Sequence, residues 1–153
     1  MKTTHEQAVD QVCCETLEKV CFLFAEPVER DGLANEPEEA GQADIAFTGA
    51  FGGALTMAAP HALCSEIAAN MLGVEPDEVE SRDQCADALK EALNIICGQL
   101  LTAIAGEEPV FELSVPETHC MDLAAWRALR DDPRTRCFMI DDRPALLRLA
   151  MEE

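Results

Sequence analysis

The sequence predicts an α+β fold in which long helices pack on an antiparallel sheet. Three observations carry this. Helical periodicity is sustained near both residue 15 and residue 95; short strand-like runs lie between and after these segments; and helices and strands follow one another in mixed order. At 153 residues the chain is expected to form a single domain spanning 1–153, large enough for a sizeable core.

The first element is a helix expected from Thr4 to Ala25. Val9, Val12, Cys13, Leu17, Val20, Cys21 and Phe24 recur at amphipathic helical spacing. Glu26-Pro27 should end it, because the residue before a proline is pushed out of the α region. The acidic stretch ERDGLANEPEEAGQAD, residues 29–44, reads as a loop or a weakly ordered strand margin. Ile45 to Phe51 and Gly53 to Ala58 read as two strands joined around Gly52-Gly53. Pro60 sits at the favoured first position of a helix running to Leu72, with Gly73 as its C-terminal cap. After a connector at residues 76–80, Ser81 or Asp83 is expected to cap a long central helix that ends near Gly106. A strand is expected at Val110 to Val115, stopping at Pro116, and a short helix at Asp122 to Arg130. A closing hairpin is expected from Cys137 to Asp141 and Ala145 to Ala150, turning around Asp142-Arg-Pro. The tally is three main helices and five strands.

Composition narrows the function classes. A formal net charge of −19 repels phosphate backbones and anionic membrane surfaces, so neither nucleic acid nor membrane is an expected partner. Apolar runs are short and broken, the longest near Ile95 to Ile104, and none reads as a membrane span. The opening MKTTHEQAVDQ turns polar at once, so a cytoplasmic location is expected. Eight cysteines at 13, 14, 21, 64, 85, 97, 120 and 137 form no C-x-x-C pair, and reduced, mostly buried thiols are expected. His119-Cys120 is a weak metal signal, and no metal site is expected. Only three histidines occur, at 5, 61 and 119, and nucleophile-elbow, H-E-x-x-H and phosphate-loop motifs are absent.

The chemistry concentrates in the central helix, in DALKEALNIICG. Leu89, Ala92, Leu93, Ile96, Leu100, Ala103 and Ile104 form an apolar stripe that must be buried. Asp87, Glu91, Asn94 and Gly98 project the other way, within an arc of about 60°. A solvated face is the bland explanation. Asparagine is mildly unfavourable inside a helix, however, and glycine costs about 1 kcal/mol relative to alanine. Both on one line of a good helix point to a functional role.

FTGAFGGALTMAAPHALCSEIAANMLG, followed by DALKEALNIICGQLL, resembles the CheX branch of the CheC/CheX/FliY chemotaxis phosphatases. Asp87, Glu91, Asn94 and Gly98 match that family's helix pattern position by position, within a motif-bearing core of about residues 45–116. The resemblance implies a CheC/CheX-like fold and hydrolysis of the aspartyl phosphate on a CheY-like response regulator. It implies that Asn94 orients the attacking water and that Glu91 pairs with a lysine of the regulator, both as catalytic residues, with Asp87 and Gly98 contacting the partner. No cofactor of its own is implied, Mg²⁺ being expected on the regulator. A homodimer is implied too, and the apolar run Ala145 to Ala150 is the expected edge strand taking part. Leu93 stands where relatives carry a small residue, and the stretch after Pro116 departs from the family pattern. The alternative reading is therefore a non-catalytic receiver-binding or dimerisation module on the same fold. Redox or metal sensing through the cysteines is a third and weaker one. The first helix offers Glu15, Glu18 and Cys21 at the spacing a second site would use, none an amide, so one site per chain is expected.

Overall fold

The computed structural model describes residues 4–33, 36–79 and 82–152. Among the described residues there are four α-helices and seven strands: α1 Thr4–Cys21, β1 Ala25–Val28, β2 Glu39–Thr48, β3 Gly53–Pro60, α2 His61–Leu72, α3 Arg82–Ala105, β4 Glu112–Leu113, β5 Glu117–Asp122, α4 Leu123–Asp131, β6 Thr135–Ile140 and β7 Arg143–Met151. The strands form one antiparallel sheet in the order β1-β6-β7-β3-β2, and β4 and β5 share the far edge of β2.

Alternation along the strands divides the molecule into two layers of core. Ala43, Ile45 and Phe47 of β2, Leu55 and Met57 of β3, and Leu147 and Leu149 of β7 face α1, α2 and α3. The register aligns them in rows, Ala43 with Met57 and Leu147, and Ile45 with Leu55 and Leu149. Ala40, Ala58, Cys137 and Leu146 face the other way, under Trp126 and Leu129 of α4. Beyond that short helix the same face is polar. There Asp44 accepts a hydrogen bond from its cross-strand neighbour Thr56 at 2.6 Å and another from Gln42.

Several expected boundaries move, each for a tertiary reason. Helix α1 stops at Cys21, four residues before Ala25, where Asn70 of α2 donates to the Cys21 carbonyl at 2.7 Å and Phe22 turns left-handed. Phe24 therefore leaves the core stripe for solvent, and Glu26-Pro27 lies within β1 rather than ending a helix. Proline is tolerated there because β1 is an edge strand. Strand β2 begins at Glu39 inside the acidic stretch read as a loop, since pairing with both β3 and β5 satisfies its backbone. Pro60 closes β3 and immediately precedes α2 instead of occupying its first turn. Of the two proposed caps for α3, Ser81 lies outside the described residues and Asp83 is within the helix.

The strand expected at Val110 to Val115 shrinks to the two residues of β4, and Glu117–Asp122 forms a strand that was not expected. Ala145 to Ala150 is not an edge: β7 lies inside the sheet, flanked by β6 and β3, which is why it is so apolar.

Other signals hold. Gly73 caps α2 with φ 74°, and both its N–H and that of Val74 reach the Ala69 carbonyl. Asp122 caps α4 by accepting from the Ala125 N–H at 2.9 Å. Gly53 is required sterically, since a Cβ there would come within 2.6 Å of the Ala150 carbonyl and 2.7 Å of the Phe47 ring.

Candidate functional site

Helix α3 positions the four polar-line residues by burying everything opposite them. Leu89, Ala92, Leu93, Ile96 and Leu100 are in the main core; Ala103 is exposed and Ile104 only half-buried, so the buried stripe ends a turn earlier than its sequence pattern. The helix is long and apolar enough to cross a membrane by length and composition, contrary to the reading of broken apolar runs. Its most apolar side chains are engaged by α1, α2 and the sheet. Leu93 is wholly buried, pointing away from the polar line.

Asp87 and Glu91 are exposed, and Asn94 and Gly98 half-buried, on one outward strip about 16 Å long at the helical rise of 1.5 Å per residue. Within it, Asp87 lies 3.7 Å from Lys90, an exposed i,i+3 pair worth about 0–1 kcal/mol. Glu91 and Asn94 make no hydrogen bond or ion pair among the described residues, and one helical turn separates them. At Gly98 a Cβ would meet nothing within 4 Å, and Thr102 donates to its carbonyl at 3.1 Å. The strip thus presents, in order, a carboxylate screened by lysine, a carboxylate with no cation, an amide and bare backbone. An amide can accept and donate to one water without adding negative charge.

An open groove of about 470 Å³ runs between α1 and α3 beside this strip, with Ile95 and Gln99 on one wall and Gln11, Glu15 and Lys19 on the other. Sequence reading missed it. The only signal was a row of polar α1 residues above an apolar seam, which looks the same on any solvated helix. On α1 itself Glu15 accepts from Gln11 at 3.1 Å, while Cys21 is fully buried at the helix end. That position cannot present a side chain to a partner.

None of the eight cysteines is in a disulfide. Cys13, Cys21, Cys64, Cys97 and Cys137 are buried, and Cys120 is exposed. Burial pushes the Cys64 thiol up to about 12 and those of Cys21 and Cys97 up to about 11. Among the described residues no group of three or more His, Cys, Asp or Glu is arranged to hold a metal ion.

A family model for the chemotaxis phosphatase CheX matches residues 42–134, which include the whole strip. No curated protein matches the sequence. Among solved structures, a chemotaxis protein CheX from Desulfovibrio desulfuricans superposes with a TM-score of 0.72 at 15% identity, covering 98% of this chain and 100% of that one. CheX from Vibrio vulnificus gives 0.70 at 17% identity, covering 98% and 97%. CheX in the CheX–CheY–BeF3–Mg²⁺ complex from Borrelia burgdorferi gives 0.69 at 14% identity, covering 99% and 100%. The fold is the CheC/CheX type, with long helices on an antiparallel sheet.

Proposed function

Because the chain belongs to the chemotaxis phosphatase CheX family, we propose that it hydrolyses the aspartyl phosphate of a CheY-like response regulator. Docking along α3 brings the Asn94 amide beside the phosphoryl group, where it holds a water in line for attack on phosphorus. The P–O bond to the regulator's aspartate breaks, releasing phosphate and the free carboxylate. Such transfers need positioning and charge neutralisation more than covalent help from the catalyst. Mg²⁺ on the regulator supplies the neutralisation, and this chain brings no cofactor of its own. Glu91 pairs with a lysine of the regulator, and the bare backbone at Gly98 lets the partner approach closely. Asp87 sits at the end of the same contact. The reaction takes place in the cytoplasm.

The observation that carries this reading is that neither the Asn94 side chain nor the missing Cβ of Gly98 serves hydrogen bonding or packing among the described residues. Asn94 makes no hydrogen bond among the described residues, and Gly98 fills no tight space. The complex of the Borrelia burgdorferi relative with CheY supports the class of partner. Burial of Leu93 leaves the docking strip uncrowded, which removes the objection that this side chain raised to docking.

The test is the lifetime of a phosphorylated CheY-like regulator. Asn94→Ala is expected to fold normally and to slow dephosphorylation by about 10²-fold or more. Glu91→Ala is expected mainly to raise KM, by a factor that shrinks at high salt. Undiminished turnover in Asn94→Ala would remove Asn94 from the catalytic step, and an unchanged regulator lifetime with the unmodified chain would leave only the binding-module reading.

Two copies are proposed to pair as a homodimer through the β4–β5 edge, since the interior strand β7 offers no free edge at which sheets could join. Exposed Val110 and Val115 flank that edge. Val110→Lys/Val115→Lys is expected to convert a dimeric mass in solution to a monomeric one. A monomeric mass for the unmodified chain at micromolar concentration would rule the dimer out.

A further inference from the structure

Phe22 and Phe24 stand in solvent, 70% and 75% exposed, on either side of buried Leu23. Both line an open groove of about 440 Å³, together with Glu26, Glu66, Met139, Asp141 and Asp142. Three non-glycine residues among those described have positive φ: Phe22 at 55°, Asp141 at 53° and Asp142 at 65°. All three line this one groove. Left-handed backbone is unfavourable for an ordinary residue, and for a bulky side chain such as Phe22 it is an outlier. Glycine or asparagine would relax the end of α1, so the strain sits at Phe22, whereas Asp141 and Asp142 meet the demand of a two-residue hairpin turn for positive φ with residues that tolerate it. Strain of this kind gathers at binding surfaces, where the free molecule is not at its stability optimum.

The groove also has a sign. Four carboxylates, from Glu26, Glu66, Asp141 and Asp142, surround the aromatic wall. Arg143 answers part of this, pairing with Glu66 and lying 4.0 Å from Asp141, so negative charge remains in excess. We infer that this groove docks a basic segment of a partner protein, one apolar side chain flanked by lysines or arginines. The apolar side chain lies against Phe22, Phe24 and Met139, and its cations meet the rim carboxylates. A second copy of this chain is a poor occupant, because a two-fold contact would set Asp141, Asp142 and Glu26 against like charges. Nucleic acid and anionic membrane are repelled for the same reason. The groove shares no residue with the α3 strip, so the inference stands apart from the phosphatase reading.

The probe is a short fluorescent peptide with leucines set between lysines, compared by anisotropy with an equally charged peptide carrying serine for leucine. The leucine peptide is expected to bind at least about tenfold tighter, and Phe22→Ser/Phe24→Ser to abolish that difference. Glu112→Gln, on the far edge of the sheet, should leave it intact. Asp141→Asn/Asp142→Asn should keep the turn but weaken binding and flatten its salt dependence. Phe22→Asn should hold or raise Tm, because asparagine suits the backbone there. Equal binding of the two peptides would mean mere attraction to an acidic protein and would overturn the inference. A preference that survives in the double phenylalanine variant would overturn it too, as would a fall in Tm for Phe22→Asn. So would conversion of a dimeric mass to a monomeric one by Phe22→Ser/Phe24→Ser, which would assign the face to a second copy.

Discussion

Gly98 lies in the interior of a 24-residue helix with neither a left-handed backbone nor a neighbour to make room for. Glycine there loses about 0.5–1 kcal/mol against alanine through backbone entropy. Gly98→Ala should therefore stabilise the isolated protein by about that amount in denaturant titration. With the docking proposed along α3, the same methyl would face the regulator, so affinity for the regulator should fall as stability rises. A variant that gains stability and keeps full affinity would show that the regulator does not come close at this point. Asn94 belongs with Gly98 in this respect, as a residue that helix propensity alone would have replaced.

Helix α1 is held to the sheet by more than its apolar stripe. Arg136 of β6 reaches across to Asp10, donating from Nε and Nη2 to the two carboxylate oxygens at 2.9 Å each. Asp10 is buried, and hydrogen bonding to it holds the Arg136 guanidinium above its ordinary value. Removing Asp10 leaves the Arg136 guanidinium partly desolvated, with only the longer-range attraction of Glu6 and Glu29. Asp10→Ala is expected to cost about 2–3 kcal/mol, while Asp10→Leu/Arg136→Leu should recover much of that loss, read from urea midpoints. If the double variant is as unstable as the single, packing rather than stranded charge holds α1 in place.

Across the whole molecule, burial of thiols ties stability to alkaline pH. Cys21 and Cys97 are pushed up to about 11 and Cys64 up to about 12, from an ordinary value of 9.0, in each case first by desolvation. Folding thus raises these pKa values, so the unfolded chain releases protons first. The contribution is fully present below about pH 9 and is lost as pH rises toward 11–12. The sequence contains no tyrosine to titrate in the same window. Tm should therefore fall between pH 9 and 11, and Cys21→Ala/Cys97→Ala should flatten that fall even though it lowers Tm at neutral pH.

Periodicity and local chemistry were enough for the sequence to determine α2, α3 and α4, the Gly73 cap, the existence of the β2–β3 and β6–β7 hairpins though not the positions of their turns, and the outward line from Asp87 to Gly98. Each of these depends on spacing within one element, where 3.6- and 2-residue repeats place side chains on faces before any packing occurs. Tertiary structure decided what depends on neighbours distant in the chain. Asn70 ends α1 forty-nine residues away from it. Glu39 to Asp44 becomes strand because β3 and β5 bond it on both sides. The apolar run of β7 is interior to the sheet, not an edge, and an apolar strand reads the same in sequence either way until its partners are known. The aromatic, acidic groove was invisible for the same reason: Phe22 and Asp141 meet only because β1 pairs with β6, and no local repeat records which strands will become neighbours.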